Sequence, residues 1–471
     1  MITADVRRQS LAPAYTAAAG LAAAMGIGRF AYTPLLPVLI DAGRLDAHTG
    51  AVIAAANYAG YLAGAVALAR RPEWNSRNLF RAAALVLVLS EALMACPAPS
   101  AVLAVLRFAA GAASAIIFIA CAGVAARHEN RRRAAGIVFA GVGAGIALSG
   151  LLALSLNSIA SWHALWLGAA ALTALLLFPA YRTVRPATAE SASSTASAHA
   201  AHHARASIDP HRSAATLLGS SAPPPTGSSA GTRILTTGSA RTWTGGTAAE
   251  PRHVGSSRKH ELRGGTATES ADGRTRADAA RETPDATASA ATRWRALLVS
   301  YFLEGLGYIV IGTFLVAAVK ETGGQQLGTG VWVIAGVAAI PATVLWGAAA
   351  QRWSPRTALV IALLLQAASA ALPMWSASTG AAIVSAALFG ATFMGITMLS
   401  IEIGTDLAGA RAAATLTAVY GFGQMLGPLV VAPALGSGYS LAFGIAAVIL
   451  VLAATAAFAV RGRSLVSPES R

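Results

Sequence analysis

"RAAGIVFAGVGAGIALSG" (133–150) and "RAAATLTAVYGFGQMLGP" (411–428) decide the fold of this 471-residue chain. Laid over each other at an offset of 278, Arg133 meets Arg411, Gly143 meets Gly421, Gly145 meets Gly423 and Leu148 meets Leu426. At 279, "MGIGRFAY" (25–32) lies over "EGLGYIVI" (304–311), and Gly111 meets Gly390. Alanine-rich segments can match by chance, but three pairs in nearly one register point to an internal duplication. All of these segments lie in apolar runs of about 20 residues, the length a helix needs to cross a bilayer.

The whole chain has that character. It is 55% hydrophobic and only 12% charged, against about 25% charged in a soluble protein. The runs are rich in Ala, Leu and Gly and lack two-residue alternation, so helices rather than barrel strands do the spanning. Twelve spans are read, at 11–40, 48–69, 79–97, 100–126, 134–157, 162–181, 295–319, 328–350, 356–374, 379–404, 411–434 and 438–460. The expected architecture is an all-α membrane protein of two pseudo-symmetric six-helix bundles, related as parallel repeats across a central cavity. The amino-terminal bundle takes 1–185 and the carboxy-terminal bundle with a short tail takes 293–471.

Residues 186–292 separate the bundles. "ESASSTASAHAAHHARASIDPHRSAATLLGSSAPPPTGSSAGT" (190–232) is built of small and polar residues with no apolar face, so burial cannot offset the entropy of ordering it. A disordered cytoplasmic linker is expected. His199, His202, His203 and His211 cluster there, but without cysteine partners or fixed spacing no metal or other cofactor is assigned.

The net charge of +15 orients the chain rather than marking a polyanion partner. With the amino terminus inside, Arg7, Arg8, Arg70, Arg71, Arg77, Arg81, Arg127, Arg131, Arg132, Arg133, Arg352, Arg356, Arg411, Arg461 and Arg463 fall on the cytoplasmic side. Arg44 and Lys320 alone fall on the other. This is the positive-inside pattern, with both termini cytoplasmic and no nucleic-acid role. The start resembles a signal peptide, but its apolar run continues to Ile40 and eleven spans follow, so an uncleaved first helix is expected. Cys96 and Cys121 lie inside apolar runs and form no CxxC motif.

Several stretches carry a family resemblance: "GIGRFAYTPLLPVL" (26–39), "NYAGYLAGA" (57–65), "GVGAGIALSG" (141–150), "GLGYIVIGTFL" (305–315), "GATFMGIT" (390–397) and "GFGQMLGP" (421–428). Through them the chain resembles the major facilitator superfamily, and within it the bacterial YbfB/YjiJ group. "LRFAAGAASA" (106–115) is similar to the fourth-span arginine–glycine motif of proton-coupled members, giving Arg107 and Gly111. The acidic loop that the superfamily carries between spans two and three is here "GAVALARRPEWNSRN" (64–78), with no Asp. The resemblance implies a secondary transporter in the bacterial inner membrane, working by alternating access on a small-molecule substrate.

Of the ionisable residues inside spans, four stand out: Arg29, Glu91, Arg107 and Glu304. Such a group costs at least a few kcal/mol in lipid and therefore faces a polar cavity or a partner. Folding the hairpin of spans three and four brings Glu91 and Arg107 to similar depth, where an ion pair could be purely structural. Arg29 lies deeper with no acid near it on its own helix; its repeat counterpart is Tyr308, while Glu304 stands opposite Met25. Arg29 and Arg107 are the candidates for holding a polar or anionic substrate, with Asn57, Tyr308, Tyr420 and Gln424 as further cavity residues. Glu304 and Glu91 are the candidates for proton coupling. Trp346 could add a ring contact, and Trp162 and Trp166 read as belt residues. Gly143, Gly145, Gly421, Gly423 and Pro428, with Gly141 and Gly427, serve close helix packing and the rocking of two bundles. Pro34, Pro37 and Pro341 remove backbone hydrogen bonds and can kink their helices.

An enzyme is not expected: there is no GxSxG elbow, Walker loop or paired intramembrane metal set. A monomer in the lipid bilayer, with a proton as coupling ion, completes the expectation. The alternative is a membrane sensor or scaffold that keeps the fold and signals through the linker.

Overall fold

A computed structural model describes residues 10–156, 161–184, 284–376, 378–409 and 412–460. Arg7, Arg8, Arg411, Arg461, Arg463 and the linker histidines 199, 202, 203 and 211 lie outside the described residues, as does the expected linker up to residue 283. The described residues hold helices and no strand.

The amino-terminal half comprises α1 (Ala12–Leu21), α2 (Tyr32–Asp41), α3 (Ala47–Arg70), α4 (Arg77–Leu93), α5 (Ser100–Ala126), α6 (Arg131–Leu156) and α7 (Trp162–Thr183). The carboxy-terminal half comprises α8 (Pro284–Ala339), α9 (Ala342–Arg352), α10 (Pro355–Trp375), α11 (Thr379–Ala408), α12 (Ala412–Val431) and α13 (Tyr439–Phe458). Helix starts follow local chemistry. Asp46, Ser76, Ser161, Ser354 and Ser378 each accept from a backbone N–H three residues on, satisfying donors that a helix amino terminus leaves free. α8 opens on Pro284, ahead of the boundary expected at 293, and proline suits a first helical position.

Among the described residues, ten helical segments are long and apolar enough to cross a membrane. Two features separate this number from the twelve read in the sequence. α4 is 17 residues long, short of the roughly 20 that fully span the hydrocarbon. Spans seven and eight run together in α8, which is helical on both sides of Gly324; that residue alone departs, with φ of 80°. Glycine takes that conformation without a Cβ clash.

Span one is broken in its middle. α1 passes into a π-helical turn (Ala22–Ile27), residues 28–31 form turns, and α2 resumes. Pro34 has no N–H to offer the Phe30 carbonyl, which accepts instead from the Thr33 N–H at 3.1 Å. Pro341 breaks span eight between α8 and α9 in the same manner.

The repeat is visible in the packing. A Cβ on Gly111 would stand 1.9 Å from the Asn57 carbonyl oxygen, and one on Gly390 would stand 2.0 Å from that of Ala335. A Cβ on Gly145 would stand 2.1 Å from the Ala22 carbonyl oxygen, and one on Gly423 would stand 2.4 Å from that of Phe302. Each pair thus packs onto equivalent helices of its own half. Gly143 and Gly421 instead face the opposite half, the first against Gly336 and Ile340, the second against Leu62. Helices in lipid gain little from hydrophobicity, so small residues allow the backbone contact that holds them together. Pro428 lies buried within α12.

Candidate functional site

The break in span one sets the site. It leaves the Gly28 and Arg29 carbonyls free of the helical ladder, and the Arg107 guanidinium of α5 donates to both, at 2.9 and 3.0 Å. Asn57 of α3 donates to the Arg107 carbonyl at 2.8 Å, and Ser114 to the Ala24 carbonyl at 2.8 Å. Arg107 and Asn57 therefore form a layer behind the break, with both terminal guanidinium nitrogens and the Asn57 amide nitrogen given to main chain and the Arg107 Nε without a partner. Arg107 makes no ion pair with Glu91 among the described residues. The hairpin does bring the two to electrostatic reach, but the freed carbonyls take the guanidinium, and the Glu91 carboxylate lies against Thr173 without a regular hydrogen bond.

Held in this way, Arg29 projects into the seam between the halves. Its guanidinium donates to the Gln424 side-chain oxygen of α12, and the Gln424 amide nitrogen donates to the Tyr308 hydroxyl of α8. Three rings of its own half surround it: Tyr61 at 4.3 Å, Tyr58 at 4.9 Å and Phe30 at 5.5 Å from their centroids. Cation–π contact of this kind is worth about 0.5–1 kcal/mol at an exposed site and rises to about 2 kcal/mol when desolvated. Arg29 is only 2% exposed and no carboxylate pairs with it among the described residues.

Other contacts close the same seam. Thr33 donates to the Gly312 carbonyl. The Thr313 hydroxyl donates to the Ile309 carbonyl at 2.7 Å, so its 3.0 Å contact with Tyr58 has the phenol as donor. Trp332 donates to Ser149 at 3.3 Å. At one end of the seam, Lys320 pairs with Asp41. Behind Gln424, Tyr308 lies near-parallel to Tyr420 (5.4 Å, 11°), Phe393 (6.2 Å, 5°) and Phe389 (6.2 Å, 14°), and Phe30 meets Phe393 across the seam at 6.2 Å.

Of the residues singled out from the sequence, Arg29, Gln424, Tyr308 and Tyr420 form one connected set, with Arg107 and Asn57 directly behind it. Glu304 does not face Arg29. It is fully buried in the carboxy-terminal half beside the Gln366 amide, at a separation beyond a regular hydrogen bond. Trp346 donates to the Ala391 carbonyl at 2.7 Å and packs against Gly395. Trp166 is buried against Tyr32 rather than exposed as a belt residue would be. Sequence reasoning missed Thr33, Tyr58, Tyr61, Thr313 and Gln366. Tyr58 and Tyr61 follow Asn57 at spacings that share one helix face, and Gln366 is a lone amide in the apolar run "LVIALLLQAASA" (359–370), a signal that could have found it.

A family model described as "Uncharacterised MFS-type transporter YbfB" matches residues 21–217 and 269–458. No curated protein matches the sequence. Two crystal structures of the nucleoside transporter NupG share the fold. One, of a point mutant, has a TM-score of 0.60 at 11% identity, over 96% of this chain and 100% of that one. A second structure has 0.58 at 12%, over 96% and 99%.

Proposed function

The chain belongs to the family of MFS-type transporters described by YbfB, and from that membership we propose that it carries a small polar or anionic organic molecule by alternating access, coupled to protons. One observation carries this reading. A buried cation in the broken first span of one half is held by an amide of the other half. Any parting of the halves breaks that contact and presents Arg29 to whatever enters.

Arg29, Gln424, Tyr308 and Tyr420 are the substrate contacts, and Arg107 and Asn57 position them from behind. Glu304 lies one helical turn from Tyr308 and is placed to exchange its proton with the side to which the site opens; Glu91 is a second such carboxyl. Gly143 of α6 and Gly421 of α12, which face the opposite half, belong to the surfaces on which the halves rock, while Gly145 and Gly423 serve packing within each half. Counting α4 and dividing α8 at Gly324 gives twelve crossings, with both termini in the cytoplasm of a bacterial inner membrane. Residues 186–292 join the two bundles as a linker, and a single chain holds the complete site.

A thermal-shift screen of the purified carrier against panels of polar metabolites at two pH values selects a ligand for uptake assays in vesicles. Arg29→Met is expected to abolish uptake of that ligand. Undiminished uptake refutes the assignment.

A further inference from the structure

The site combines two features that select different parts of one ligand. The first is an uncompensated charge. Arg29 meets a neutral amide and ring faces, its Nε makes no hydrogen bond, and no acid pairs with it among the described residues. Arg107, the neighbouring cation, also leaves its Nε without a hydrogen bond, but both of its terminal nitrogens, the fork a carboxylate would need, are committed to carbonyls. One guanidinium is thus available, which matches one negative charge. A planar carboxylate is the acceptor that a guanidinium fork fits best.

The second feature is the set of near-parallel rings. Tyr308, Tyr420, Phe393 and Phe389 lie within 14° of Tyr308's plane, at centroid separations of the offset-stacked kind. Tyr301 extends the row, 4.5 Å from Tyr420 at 11°. An aliphatic ligand would bury against these faces without using their alignment, whereas a flat ring continues the row. The Gln424–Tyr308 hydrogen bond joins the row to the cation.

Resting on the transporter reading above, we propose that the carried molecule is a planar aromatic monoanion. Its carboxylate replaces the Gln424 oxygen on Arg29, and its ring joins the Tyr308 row. The Gln424 amide nitrogen, released to turn, donates to the same carboxylate. A neutral aromatic leaves Arg29 uncompensated, and a saturated acid leaves the rings without a stacking partner.

The test is calorimetric binding to the purified full-length protein with four probes: benzoate, naphthoate, cyclohexanecarboxylate and benzamide. One of the two aromatic carboxylates is expected to bind about tenfold or more tighter than either control. Phe393→Leu should erase the preference over cyclohexanecarboxylate, and Arg29→Met the preference over benzamide. Gln424→Glu serves as a second variant should Arg29→Met fail to fold. It places a permanent carboxylate against Arg29 and should weaken the aromatic acid about tenfold or more, with the protein still folded. Absence of binding by both aromatic acids, equal binding of either control, or an unweakened Gln424→Glu variant overturns the proposal. Counterflow of the bound acid in proteoliposomes separates the two claims. Binding without counterflow refutes transport, and counterflow of a non-aromatic anion with no aromatic acid bound refutes the ligand class alone.

Discussion

Gly143→Ala discriminates between a seam that opens and a seam that is merely packed. In the closed arrangement the new Cβ would stand 2.7 Å from the Ile340 nitrogen, 2.8 Å from the Gly336 oxygen and 2.9 Å from the Ala339 carbonyl carbon. Ordinary carbon contacts need well over half an ångström more, and all three obstacles are backbone atoms that cannot turn aside. Overpacking of this size costs about 1–3 kcal/mol. Gly143 faces the opposite half, so the cost falls on the closed conformation and disappears when the halves part. The closed-to-open equilibrium should fall about 5- to 150-fold. Gly145, two residues on, is the control: its Cβ would stand 2.1 Å from the Ala22 carbonyl oxygen within the same half, so its penalty persists in every conformation. A disulfide between Asp41→Cys and Lys320→Cys, whose native side chains pair at one end of the seam, reports closure there. On that background Gly143→Ala should slow cross-linking with little change in thermal stability, and Gly145→Ala should lower the melting temperature with little change in cross-linking. Cross-linking of the Gly143→Ala protein at the parent rate would refute the rocking seam.

Glu304→Gln preserves shape beside Gln366 and should leave substrate exchange intact while abolishing the response of uptake to a pH gradient; an unchanged response removes Glu304 from coupling. Gly111→Ala drives a Cβ to 1.9 Å from the Asn57 carbonyl and should destabilise the protein by about 1–3 kcal/mol. Gly330→Ala, with nothing within 4 Å, should instead stabilise α8 by up to about 1 kcal/mol, and thermal melts that rank the two in the opposite order contradict the packing argument. Excision of 196–283 should leave transport intact and would abolish function only if the chain signals through that segment.

The helical, membrane-spanning character and the duplication were readable from the residues themselves. Lipid cannot hydrogen-bond the backbone, so long apolar runs must be helices, and helices that pack in lipid repeat small residues such as Gly111 and Gly390 or Gly145 and Gly423. Arg29 was conspicuous for the same reason, since a charge in an apolar run must find company. Its company was not readable. Gln424 lies 395 positions away, and nothing local to either residue specifies which helix of one half meets which of the other. Hairpin folding fixed the depth of Glu91 and Arg107 but not the direction in which each points. The carbonyls freed at the break near Pro34 claimed the arginine, an outcome set by three helices at once. Periodicity along one chain fixes which face of a helix is buried; the identity of the neighbour across that face is a property of the assembled bundle, and only the tertiary structure decides it.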